Sequence, residues 1–196
     1  MTPIAAIGWL GTATYLLAYA LLAAGIIGSG RLYYAMNAAA ALAVTAVAAS
    51  TATWQSVTVN LLWAAISVYG YFVLPLPVGW VAPRWARGTV AMLICGGLLG
   101  IVAALFHEPL FHAGVTVLGW GAVAAFLCGY ALFVARKIDR AAFHGFNLAA
   151  AAAILPQLWV HGNWPVLVLE VCWGLAAAVG LGREWWGRGR GREGSR

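Results

Sequence analysis

The sequence predicts an all-α membrane protein of seven transmembrane helices in a 3+1+3 parallel-repeat arrangement, with its N-terminus outside and its C-terminus in the cytoplasm. Three observations lead there. Of 196 residues, 64% are hydrophobic and only 8% charged, too little charge to cover the surface of a soluble domain. Seven Ala/Leu-rich stretches are each close to the roughly 20 apolar residues that cross a bilayer core. All eleven Lys and Arg residues fall in alternate connections.

The seven stretches lie at about 5–27, 32–50, 54–74, 89–107, 113–135, 141–160 and 164–182. None alternates with period two, so strands are disfavoured. Each is helical because lipid offers the backbone no hydrogen-bond partners. The first lacks a preceding basic residue and is too long for a cleavable signal core. Basic residues occupy the first connection (Arg31), the third (Arg84, Arg87), the fifth (Arg136, Lys137, Arg140) and the tail (Arg183, Arg188, Arg190, Arg192, Arg196). The second, fourth and sixth connections carry none. By the positive-inside rule the basic side is cytoplasmic. Trp9, Trp54, Trp120 and Trp164 then stand at the outer ends of helices 1, 3, 5 and 7, where amphipathic rings favour the headgroup layer. The Gly/Arg-rich tail from Gly187 reads as an irregular segment on anionic lipid rather than a nucleic-acid arm.

The chain repeats itself. Gly8-Trp9 matches Gly119-Trp120, and Tyr19 matches Tyr130, at an offset of 120 − 9 = 130 − 19 = 111. Asn37 matches Asn147, Trp54 matches Trp164, Trp63 matches Trp173 and Gly70 matches Gly180, at 147 − 37 = 164 − 54 = 173 − 63 = 180 − 70 = 110. The expected organisation is a first three-helix repeat at 5–73, a linker at 74–115 holding the unpaired helix 4 (about 89–107), a second repeat at 116–182 and a basic cytoplasmic tail at 183–196. Helix 4 returns the chain to its starting side. The repeats are therefore parallel, with a pseudo-two-fold axis along the membrane normal.

This arrangement resembles the SWEET sugar transporters and the wider PQ-loop group. The half-repeat, with Gly8-Trp9, Tyr19, Asn37, Trp54-Gln55-Ser56-Val57 and Asn60-Leu61-Leu62-Trp63, is also similar to a small three-helix bacterial membrane domain of unassigned function. The SWEET resemblance implies alternating access between two triple-helix bundles. It also implies that Asn60 and, in the second copy, Glu170 line a central cavity.

Glu170 is the only acid within a predicted span, and intramembrane ionisable groups mark solute or proton pathways. Asn60, Trp63 and Ser67 share one face of helix 3, and Glu170 with Trp173 repeats the pattern. The expected substrate-binding set is Asn60, Trp63, Glu170 and Trp173, suited to a small polar or cationic solute. The same residues could instead only bond and pack helices, which makes a non-transporting scaffold or accessory subunit the alternative. Tyr19, Tyr130, Asn37 and Asn147 are candidates for a gate or for helix contacts, and Pro156 for a kink in helix 6.

His107, Glu108 and His112 are one residue too widely spaced for a zinc-protease motif, with Pro109 between them. Cys95, Cys128 and Cys172 lie in different helices without metal or redox spacing. No metal, cofactor or catalytic constellation is expected, so the chain does not read as an enzyme. Its expected partners are membrane lipid and a small-molecule solute, not nucleic acid, in the cell (inner) membrane. A homo-oligomer is compatible with the sequence.

Overall fold

The structure, a computed structural model, describes residues 2–23, 26–27, 30–72, 83–105, 107–134 and 137–193. The repeat boundary at 73–74 and the basic residues Arg136 and Arg196 lie outside them. The described residues form seven α-helices: α1 Pro3–Ala23, α2 Arg31–Ser50, α3 Trp54–Phe72, α4 Pro83–Ala103, α5 Pro109–Val134, α6 Arg140–Val160 and α7 Trp164–Glu193.

Local sequence sets many of the ends. Pro3, Pro83 and Pro109 open α1, α4 and α5, where a missing N–H is harmless and φ is already helical. Asp139 caps α6, its carboxylate accepting from the Ala142 N–H at 2.8 Å. The expected helix 4 at 89–107 begins earlier, at Pro83, because the Arg84–Gly88 stretch is polar but fully competent to form a helix. The tail also departs from expectation, since α7 continues to Glu193 rather than ending near 182. No proline interrupts it, and the arginines between its glycines are good helix formers. α6 runs unbroken through Pro156.

Six of the seven helices are long and apolar enough to cross a membrane, and α3 falls short of that mark. The reason is Gln55, Ser56, Thr58, Asn60 and Ser67, all within its 19 residues. The expected belt residues Trp9, Trp54, Trp120 and Trp164 are all exposed, as are Leu10, Phe72, Met92, Leu99 and Leu105. Apolar side chains this numerous on a surface call for lipid or another apolar cover.

The chain forms two compact units, Met1–Pro77 with Pro156–Leu169 and Val78–Leu155 with Glu170–Arg196. In the first, α1 lies close on α2, with Gly11 against Ala43 and the Ala40 carbonyl, and Tyr34 of α2 lies over Gly70 of α3. In the second, His144 of α6 lies over Gly180 of α7. These two ring-on-glycine contacts occupy equivalent positions, 144 − 34 = 180 − 70 = 110.

A close backbone approach in the second unit joins α4 to α5. A Cβ at Gly114 would stand 2.6 Å from the Ile101 nitrogen and 2.8 Å from the Gly100 carbonyl carbon, and one at Gly97 would stand 2.7 Å from the Leu118 backbone. Small residues let helices in lipid meet at this range, where dispersion contacts replace a missing hydrophobic drive. Helix 4, unpaired in the duplication, thus has a dedicated partner in space.

The turns α2–α3 and α6–α7 are copies of one structure. In the first, the Thr53 N–H donates to the Ala48 carbonyl (2.9 Å) and the Ala52 N–H to Ala49 (3.2 Å). In the second, Asn163 donates to Leu158 (2.9 Å) and Gly162 to Trp159 (3.1 Å). Both are Schellman caps, which need a left-handed residue. Gly162 supplies it at φ 64°, whereas Ala52 is forced to φ 52°.

Two stability outcomes follow. Ala52→Gly raises the thermal midpoint, recovering about 1 kcal/mol of left-handed strain, while Gly162→Ala lowers it by a similar amount. Gly114→Leu abolishes the folded protein or costs more than about 3 kcal/mol, because the obstacle is backbone rather than a movable side chain. Gly96→Ala is its control and does not lower the midpoint, since the nearest atom to the added Cβ is 3.9 Å away and alanine is the better helix former. Melting of the purified variants in one detergent checks all four.

Candidate functional site

α3 is built inside out. Its buried positions are Gln55, Ser56, Val59, Asn60, Ala64, Ser67 and Gly70. Its exposed positions include Trp54, Leu61, Leu62, Val68, Tyr69, Tyr71 and Phe72. In water this polarity would be reversed. The side chains at 56, 60, 63 and 67 share one face because they are spaced by three or four residues.

Within the first unit that face is held by specific bonds. The Tyr15 hydroxyl of α1 donates to Asn60 Oδ1 at 3.2 Å. Asn60 Nδ2 donates to the Ser56 carbonyl at 2.9 Å and lies 3.4 Å from Ser56 Oγ. Asn60 is therefore buried and satisfied on both atoms of its amide. Further along, Gln157 Nε2 donates to Gln55 Oε1, Asn163 Nδ2 donates to Thr53 Oγ1 at 3.0 Å, and Thr12 Oγ1 donates to the Pro165 carbonyl at 2.8 Å. All five of these side chains are buried. Trp63 is half-buried and has an interaction of its own.

The second unit places Glu170 and Trp173 on α7. Glu170 is buried, and its Oε2 has no hydrogen-bond partner. Trp173 is half-buried, and its indole N–H donates to Asn147 Oδ1 of α6 at 3.1 Å. The Asn147 amide nitrogen in turn donates to the Phe143 carbonyl at 2.9 Å. The equivalent Asn37 makes the same bond to Tyr33, at 2.8 Å. Asn147 and Trp173, assigned separately as gate candidate and site residue, thus meet in one interhelical bond. Tyr19 is exposed and Tyr130 half-buried.

Several of these residues carried no signal in the search for matching positions, because the copies differ there. Tyr15 corresponds to Phe126 (126 − 15 = 111), and Ser56 and Val47 correspond to Val166 and Gln157 (166 − 56 = 157 − 47 = 110). A comparison of mismatches, polar in one copy and apolar in the other, would have found them. Where the first copy pairs a tyrosine hydroxyl with an asparagine, the second has Phe126 and Glu170, a ring without a hydroxyl and an acid with an unpartnered oxygen.

His107, Glu108 and His112 do not assemble into a metal site, and no group of three His, Cys, Asp or Glu residues suited to a metal occurs among the described residues. Cys95, Cys128 and Cys172 are free thiols.

No curated protein and no solved structure matches the chain. A protein-family model matches it twice, over residues 4–75 and 115–188, which are the two copies marked out by the residue offsets. The chain belongs to the family that this model describes, and it carries the family's unit twice.

Proposed function

We propose that the chain is a seven-span membrane facilitator or transporter for a small polar or cationic solute, with one polar helix face in each repeat lining the pathway. The observation that carries this reading is the inverted polarity of α3. A helix that buries Gln55, Ser56, Asn60 and Ser67 while exposing Leu61, Leu62 and Phe72 suits lipid outside and a polar interior. α3 is then the seventh span, and its low hydropathy belongs to its buried side.

The proposal includes a parallel arrangement of the two repeats, and two bonds speak for it. The Asn163 amide bonds Thr53, and His161 Nδ1 lies 3.0 Å from the Thr51 carbonyl. Both bonds join equivalent positions, 163 − 53 = 161 − 51 = 110. Helix ends that are equivalent can meet only if both repeats turn at the same face of the membrane. Inverted repeats would put them on opposite faces. The one-sided placement of the basic residues agrees, with the N-terminus outside and the C-terminus in the cytoplasm.

In this reading Glu170 is the cation- or proton-carrying group of the second repeat, Asn60 is its neutral counterpart, and Trp63 and Trp173 are the aromatic walls. The hydrogen bonds of Asn60 to Tyr15 and of Trp173 to Asn147 favour a second reading, a non-transporting scaffold in which these groups only tie helices together.

Single cysteines at 60 and 170, in a version lacking Cys95, Cys128 and Cys172, separate the two. Rapid labelling of both by membrane-impermeant thiol reagents, with lipid-facing control positions silent, is the expected outcome. Protection of both in folded protein establishes the scaffold. Proteoliposome swelling in a series of small polar solutes provides the functional check. At least one solute enters faster than in protein-free vesicles, and Glu170→Leu reduces that rate at least tenfold while the protein remains folded.

A further inference from the structure

The polar cluster in the first unit is larger than helix tying requires, and two of its atoms lack partners. It lies where the α2–α3 and α6–α7 turns meet, and its donors come from one hairpin. Gln157 and Asn163 each direct an amide nitrogen to the other repeat, to Gln55 and Thr53 respectively. Each thereby leaves its amide oxygen buried with no hydrogen-bond partner. Gln157 is 3% exposed and Asn163 0%, so bulk water does not compensate them. An unsatisfied buried acceptor costs about 1–3 kcal/mol, and two of them in one hairpin require an explanation.

Rotating the Asn163 amide does not remove the orphan. Thr53 Oγ1 has one proton, directed at the Ala48 carbonyl at 3.0 Å with Thr51 Oγ1 a further neighbour at 3.1 Å, and towards Asn163 it accepts. The Asn163 nitrogen must face Thr53, and its oxygen must face elsewhere. The vacancy is therefore one for a donor or a cation.

The chemistry of the surroundings narrows the choice. Gln55, Gln157, Asn163, Thr12 and Thr53 offer neutral oxygens only, and neither segment of this unit contains an Asp or Glu. Calcium and magnesium are held largely through carboxylates, and transition metals through imidazole or thiolate. Amide carbonyls and hydroxyls without a formal charge suit an ion that sheds its water at low cost and carries one charge. Thr53 and Asn163 stand two residues from Thr51 and His161, of which Thr51 is half-buried and His161 exposed, so the cluster borders the exposed end of the turn.

We propose that this cluster is a monovalent-cation site, for sodium or potassium, with the amide oxygens of Asn163 and Gln157 as its principal ligands. Occupancy would join the hairpin of the second repeat to the α2–α3 turn of the first, stabilising the folded state by mass action. This inference does not rest on the transport reading, since it concerns binding alone.

The test is melting of the purified full chain in NaCl, KCl and choline chloride at equal ionic strength, together with sodium-23 line broadening competed by potassium. The expected result is a midpoint that rises and saturates with NaCl or KCl over choline chloride, with the preferred ion identified by the larger shift. Gln157→Met, which keeps the volume and removes the amide, loses the rise, and Glu170→Gln retains it. Should Gln157→Met not fold, Asn163→Ser and the line broadening of the unmodified protein carry the same decision. Identical midpoints in all three salts without line broadening would mean that buried water fills the cluster, overturning the proposal. A rise lost in Glu170→Gln but kept in Gln157→Met would overturn it too, by moving the ion to the acid.

Discussion

A polar group that folding removes from water must find its partner inside the protein, and the organisation of α3 follows from that constraint. Its buried face carries Gln55, Ser56, Asn60 and Ser67. The surrounding elements supply what these need: Tyr15 from α1 for Asn60, and Gln157 from the second repeat for Gln55. A hydrogen bond of this kind adds only about 0.6 kcal/mol on average to a membrane bundle. Its greater effect is on specificity. A polar atom displaced from its partner is left unpaired in a medium that cannot solvate it, so register errors are penalised more than correct pairing is rewarded.

Duplication and divergence act on the same framework in different ways. The backbone devices are retained in both copies: a Schellman cap at each turn, a ring over a glycine on each third helix, and an asparagine bonded back to its own helix one turn earlier. The polar interior has diverged. The Tyr15–Asn60 pair is neutral and complete, whereas the second copy has Phe126 and an acid with a free oxygen. Gln157 stands where the first copy has Val47. Such asymmetry places different chemistry in two equivalent scaffolds. The alanine at position 52, held in a glycine-like conformation, shows the opposite behaviour, in which the backbone tolerated strain rather than change.

Helix α4 illustrates how helix packing is decided by shape. It has no counterpart in the repeats, yet its glycines at 97 and 100 bring it into backbone contact with α5 at Gly114 and Leu118. Dispersion between backbones at such close range favours this association whatever surrounds the helices, and in lipid, whose chains are as apolar as leucine, it is the main drive. A larger residue at the contact would separate the two backbones and forfeit most of that attraction.

The sequence by itself determined the helices, the duplication and the clustering of basic residues in alternate connections, because each is written in local composition and in offsets along the chain. Seven apolar runs became seven helices, and the repeat offsets fell on the two segments of the family match. The identities of Asn60, Glu170, Trp63 and Trp173 were legible as polar or aromatic positions on two helices. The tertiary structure alone decided that Asn60 answers Tyr15, that Trp173 answers Asn147 and that Glu170 keeps a free oxygen. It alone also showed that the two turns bond through equivalent residues, and that Gln157 and Asn163 leave buried acceptors behind. The physical reason is that a hydrogen bond between residues 26 to 110 positions apart depends on where folding brings two side chains. Periodicity along one helix records which face is buried, and it carries no information about what lies opposite.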